Sequence, residues 1–185
     1  IDNCVFNSIN SGIATEFVSR CIIAECLMEL TNIPLTLYES DNCTILRNNI
    51  DGPVMVYKSD FCRIIGNEQF EYGLSEDSVG VELSWSDRCI ISNNTFSSND
   101  YGLWIDCCLD TTLENNSFVN NGLLLRGQES SNYDIEENRN TINGNPLGYF
   151  NGESDRTIDA SEFGQVIITS CQNVVVQNGQ FENAT

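Results

Sequence analysis

One asparagine recurs along this chain in a fixed setting: an apolar residue, two residues, Asn, one residue, a large apolar residue. Ile45, Asn48 and Ile50 set the frame; Ile91, Asn94 and Phe96 repeat it, as do Leu113, Asn116 and Phe118. Read as one series, the asparagines are Asn48, Asn67, Asn94, Asn116 and Asn138, at intervals of 19, 27, 22 and 22 residues. Glycine followed by alternating apolar residues keeps step with them, as in Gly80-Val81-Glu82-Leu83 and Gly102-Leu103-Trp104-Ile105. So short a period holds two or three strand-sized pieces and shows no helical spacing, the mark of a solenoid. The expected fold is all-β, a right-handed parallel β-helix of about eight coils of roughly 22 residues.

Strict alternation puts one residue in and the next out. A single coil cannot bury its inner face, so coils stack about 4.8 Å apart, each pairing with its neighbours. Turns that point inward leave backbone polar groups in need of partners. An Asn at the same place in every coil can bond the next Asn and the turn backbone, forming an inward ladder. Glycine is expected where the bend demands positive φ. The 27-residue interval after Asn67 predicts an outward loop over 68–78, acidic through Glu71, Glu76 and Asp77. One domain over 1–185 is expected. Ile1, Cys4 and Phe6 fit the frame, as do Val176, Gly179 and Phe181. The expected domain therefore begins and ends inside a coil, as a piece of a longer protein or a unit whose ends stack on neighbours.

Charge narrows the partners. Against 27 acidic residues stand 8 basic ones, for a net charge of −19. That balance excludes nucleic acid, which demands a basic footprint. No apolar run reaches the length of a membrane span, so no membrane insertion is expected. Acidity, a single lysine (Lys58) and four glycosylation sequons, among them Asn42-Cys43-Thr44 and Asn93-Asn94-Thr95, point to an extracellular or cell-surface place.

The 9 cysteines sort onto the frame. Cys21, Cys43, Cys62 and Cys89 each open the strand that carries the core Ile, and are expected to point inward as a file. Cys4 and Cys26 stand where later coils have the ladder Asn. Cys108 and Cys171 share a turn position, with Cys107 beside the first, and these three are the exposed candidates for cross-links to another chain. Two readings of the file stay open: reduced thiols acting as small apolar groups, or rung-to-rung disulfides strained by parallel Cβ directions. Zinc is disfavoured, since the chain has no histidine and no Cys-x-x-Cys.

Three copies of Ser-Asp-x-Cys, at Ser40–Cys43, Ser59–Cys62 and Ser86–Cys89, should stack Asp41, Asp60 and Asp87 at one turn. Carboxylates about 5 Å apart can share Ca²⁺, or Asp can simply suit the turn by bonding nearby backbone. Alternation turns Trp104 outward, as a possible contact surface for a sugar ring or a subunit. Trp85 falls on the inner phase unless its strand ends first.

The segment Asn93-Asn94-Thr95-Phe96, with Tyr101-Gly102-Leu103-Trp104-Ile105 after it, resembles the parallel β-helix repeats of NosD-type proteins and of carbohydrate-binding and sugar-hydrolysis domains. The stretch from Gly144 to Phe150, then Gly164 to Ile168 and Cys171 to Val174, is similar to the close of many such repeats. The resemblance spans nearly the whole chain and speaks to fold far more than to function. Glycosidases, lyases and surface-layer or sheath proteins occur among such repeats. A glycosidase needs two carboxylates across a groove; Asp106 with Asp110, or Glu136 with Glu137, are improvised candidates, and the second pair would face opposite ways on a strand. No catalytic set is assigned. The reading is a non-enzymatic structural protein that assembles with copies of itself into a surface layer, tube or sheath. The alternative is a carbohydrate-binding or carbohydrate-processing domain of a larger secreted protein, with glycans as ligands. Copper delivery stands third, because copper sites prefer His, Met and Cys. No cofactor is expected apart from the Ca²⁺ alternative.

Overall fold

The computed structural model describes residues 1–7, 11–29, 33–70, 78–127, 135–182 and 184. Strands repeat along the chain in groups of three, and each member of a group joins a different parallel sheet. The first sheet stacks Val5–Asn7, Leu27–Glu29, Asn49–Asp51, Glu68–Phe70, Thr95–Ser97, Ser117–Val119 and Thr141–Ile142. The second stacks Ser11–Glu16, Ile33–Tyr38, Val54–Tyr57, Val79–Ser84, Tyr101–Asp106 and Leu123–Arg126. The third stacks Ile22–Ala24, Thr44–Leu46, Arg63–Ile65, Ile90–Ser92, Thr111–Glu114 and Ile135–Asn138. This is an all-β parallel solenoid of about seven turns, each turn passing from second sheet to third to first.

Alternation builds the core. In the third sheet Ile23, Ile45, Ile64, Ile91 and Leu113 lie in register and are buried. In the first sheet Met28, Ile50, Gln69, Phe96, Phe118 and Ile142 form the inner column, and the rings of Phe96 and Phe118 stack at 4.9 Å. Each fully buried apolar side chain of this size contributes roughly 2 kcal/mol through burial. Gln69 is the polar exception. It is 1 % exposed and its Nε2 donates to the carbonyls of Gly52 and Gly80, so its amide is satisfied inside the core.

Three expectations change here. The expected loop over 68–78 starts later, because Glu68–Phe70 is a strand paired with both neighbours. Ser78 is tied down as well, its N–H bonded to Asp100 Oδ2; residues 71–77, with Glu71, Glu76 and Asp77, lie outside the described residues. Glycine is not the bending residue. The corners use positive φ at non-glycine residues such as Glu39, Lys58, Trp85 and Cys107. The repeated glycines serve close approach instead: a Cβ on Gly80 would stand 2.4 Å from the Gly102 carbonyl oxygen.

The third change is at the far end. Asn143 and Gly144, both at positive φ, reverse the chain into Asn145–Asn151, which pairs antiparallel with Thr141–Ile142. From there the repeat shortens to 18 residues, with Leu147 opposite Gln165 and Thr157 opposite Val175. The stretch from Gly144 to Val174 therefore does not add another coil to the stack. It folds back over the last rung of the first sheet.

Candidate functional site

The polar residues of the corners form three side-chain ladders, and these are the most organised chemistry in the molecule. In the first, each Asn Oδ1 accepts the backbone N–H and the side-chain N–H of the Asn one rung earlier. Asn48 bonds Asn67 at 2.9 and 3.0 Å, Asn67 bonds Asn94 at 2.9 and 3.0 Å, and Asn94 bonds Asn116 at 3.1 and 3.0 Å. The remaining amide hydrogen of each goes to a core carbonyl, as from Asn94 to Ile64. All four are buried. Cys26 heads this ladder, its N–H bonded to Asn48 Oδ1.

Asn138 does not belong to the ladder; Asn140 takes the place. Asn116 donates to Asn140 Oδ1 from both its nitrogens, at 2.9 and 2.8 Å, while Asn138 is exposed at the strand end. The register explains the shift: Leu113 pairs with Glu137, not with Ile135. A slip of two residues keeps inward positions inward, so the sequence frame could not reject it. Glu137 then sits on the inner column and its Oε1 accepts both nitrogens of Asn140, closing the ladder. Glu136, beside it, is exposed and accepts from Thr112.

A second ladder, of serines, went unread in the tetrads. Ser40 N–H bonds Ser59 Oγ, and Ser59 N–H bonds Ser86 Oγ, both at 2.9 Å. Each hydroxyl donates to the carbonyl two residues before it, as from Ser86 to Ser84. Cys108 continues the column: its Sγ accepts Ser86 N–H and donates to Asp106. It is fully buried, and Cys107 is 8 % exposed. The expectation that both are available for cross-links is corrected; a thiol committed to a ladder is not on the surface. Cys171 holds the corresponding bonds in the reversed segment, from Glu153 N–H and to the Phe150 carbonyl, and is half-buried. The missed signal was that Cys108 falls on the serine column.

The aspartates make the third ladder, running the other way. Asp41 Oδ1 accepts Asp60 N–H, Asp60 Oδ1 accepts Asp87 N–H, and Asp87 Oδ1 accepts Leu109 N–H, at 2.8–2.9 Å. Each carboxylate thus gives one oxygen to a neighbouring rung's backbone. Among the described residues no group of three or more His, Cys, Asp or Glu side chains is placed to hold a metal ion.

Cys21, Cys43, Cys62 and Cys89 stack on one column that Thr111 and Ile135 continue. All nine cysteines are unbonded. Burial pushes Cys21 up to about 12, helped by a hydrogen bond to Cys43. In the neighbouring pair the shared hydrogen bond raises Cys89 and lowers Cys62. Burial also pushes Cys108 up to about 12. Thiols held protonated in this way are poor nucleophiles.

The outward face of the second sheet carries aromatic rings. Tyr38 and Tyr57 stack at 5.5 Å, Phe17 meets Tyr38 edge-on at 6.2 Å, and Lys58 Nζ lies 5.2 Å from the Tyr57 centroid. Trp104 is in the outward register between Glu82 and Leu124. It is half-buried against Tyr101, with Nε1 buried and unpartnered. Trp85 is the open ring, 49 % exposed, because its strand ends at Ser84 and positive φ swings it out.

No described helix is long and apolar enough to cross a membrane. Compared with known families, the chain matches the model described as periplasmic copper-binding protein (NosD), over residues 1–152 and again over 51–184. Among solved structures it is similar to HetL, a pentapeptide repeat protein involved in heterocyst differentiation regulation from the cyanobacterium Nostoc sp. strain PCC 7120. Identity is 13 %, over 93 % of this chain and 88 % of that one, with a TM-score of 0.22. No curated protein matches.

Proposed function

We propose, from the premise that this chain belongs to the NosD family of parallel β-helix proteins, that it is a non-enzymatic structural protein which assembles with its own copies outside the cytoplasm. The periplasmic description of the family supports the location. The observation that carries the structural role is the commitment of the corner residues. Asn, Ser and Asp side chains that could form a reactive set are instead bonded to the next rung, so polar chemistry is spent on coil stacking. A net charge of −19 keeps such a rod soluble and makes its contacts sensitive to salt. Copper delivery gains little from these residues: the chain has no histidine and 2 methionines, of which Met28 is buried. Of the cysteines considered for cross-links, half-buried Cys171 is the one open to another chain.

Electron microscopy of native material before and after heating with a reductant tests the reading. Ordered tubes, sheets or fibres are expected, and their dissolution on reduction would add cross-linking to the assembly. Dispersed single particles in both samples would overturn it. A second reading, binding of a glycan, is favoured by the stacked Tyr38 and Tyr57 with exposed Trp85 on the same outward side. Saturable binding on a glycan array, lost in Tyr57→Ala, would move the balance to it.

A further inference from the structure

The outermost rung of the reversed segment differs in charge from everything else in the chain. From Phe163 to Phe181 there is no charged residue, although 19 % of the chain is charged. That run folds as Gln165–Thr169 and Val175–Gln177, each paired on one side only among the described residues. It also presents Ile168, Val175, Val176 and Phe181, which are 38, 56, 44 and 47 % exposed. Beside it lies a cleft of about 550 Å³ between Leu123–Leu125 and Gln165–Ser170, lined without a carboxylate.

Exposed strand edges are normally blunted by charges, above all lysine, by proline or by short length. This edge carries neither lysine nor proline. Two copies of so acidic a chain repel each other over most of their surface, and here they can approach with apolar side chains and free backbone groups facing. We propose that this uncharged outer rung is the contact that holds a second copy of the chain. The same surface serves both copies, so a two-fold axis would set the strands antiparallel. One rung is small beside a standard interface, which places the pair in the weak, concentration-dependent class. The inference names one contact for the assembly proposed above and rests on that reading.

Sedimentation of the full native chain from about 1 µM to about 1 mM tests it. The wild type is expected to pass reversibly from monomer to dimer or beyond. Val175→Lys with Val176→Lys should weaken that step roughly 100-fold, since a lysine in the contact must be buried without a partner. Ile168→Lys provides an independent version, and unchanged circular dichroism shows that each variant folds. Val5→Lys, on the exposed first strand at the opposite end, should leave the step intact. If Val5→Lys abolishes assembly and the tail lysines do not, copies meet elsewhere; this contact falls while the structural reading stands. If the wild type stays monomeric throughout, both fall. Lysines that lower the melting temperature of a persistent monomer would mean that the chain's own further residues cover the rung, which also overturns the inference.

Discussion

The stacked coils and the reversed segment after Asn143 are built from similar composition, yet they hold together differently. In the coils each corner passes hydrogen bonds from rung to rung through buried Asn and Ser. In the reversed segment the corresponding bonds lie at the surface, as from Asn173 to Asp155 and from Asn178 to Asp159. Its tie to the second sheet is one side chain: Gln165 accepts Leu123 N–H and donates to the Leu123 carbonyl, at 3.0 and 2.8 Å, as a strand's peptide group would. The contrast teaches that in a solenoid the buried corner amide, more than the strand, carries cohesion between repeats.

The largest effect should come from breaking a central ladder rung. Asn94→Ala removes the acceptor for both Asn67 nitrogens and the donor to Ile64. Several buried polar groups lose partners, at roughly 1–3 kcal/mol each, so a loss of about 4 kcal/mol is expected in urea unfolding. Asn173→Ala, whose bond is exposed, should cost less than about 0.5 kcal/mol. Equal losses would show that the ladder is not what separates the two regions.

A smaller and more local loss is expected at their junction. A Cβ at Gly164 would stand 2.2 Å from the Ile142 carbonyl oxygen, so Gly164→Ala must push the reversed segment away from the last rung. Overpacking of this kind costs about 1–3 kcal/mol. Hydrogen exchange should quicken across 145–177 while the amides of the third sheet keep their protection. Uniform loss of protection over the whole chain would mean that both regions unfold as one unit.

Much of the first region was legible from residues because its period is enforced by burial. Asn48, Asn67, Asn94 and Asn116 could be aligned through the apolar residues around them, and the same alignment led to parallel coils. Asn138 was misassigned because Ile135-x-x-Asn138 satisfies the frame as well as Glu137-x-x-Asn140 fits the register. Only pairing partners tell them apart. In the tetrads attention went to Asp and Cys, whose chemistry is conspicuous; the serines, which bond more quietly, form the ladder. The reversal had a local signal in Asn143-Gly144, the dipeptide suited to a tight hairpin. It was masked by Gly164 and Val176, which keep the pattern of the coils while standing in a different stack.

The smallest effect at neutral pH should come from Cys108→Ser, which restores to the column the residue found at Ser40, Ser59 and Ser86. A change under about 1 kcal/mol is expected at pH 7, since the hydroxyl can make both bonds the thiol makes. The difference should emerge in alkali. Burial raises the Cys108 thiol from 9.0 to about 12 in the folded chain, so the folded state holds its proton where the unfolded state has released it. That contribution to stability is complete below pH 9 and drains away as pH climbs towards 12. The serine variant should therefore lose less stability than wild type between pH 7 and pH 10.5, measured by urea midpoints. Cys21, Cys26 and Cys89, also raised, should keep the slope from vanishing. Identical slopes for the two proteins would mean that Cys108 is not shielded from solvent, and that the serine column ends at Ser86.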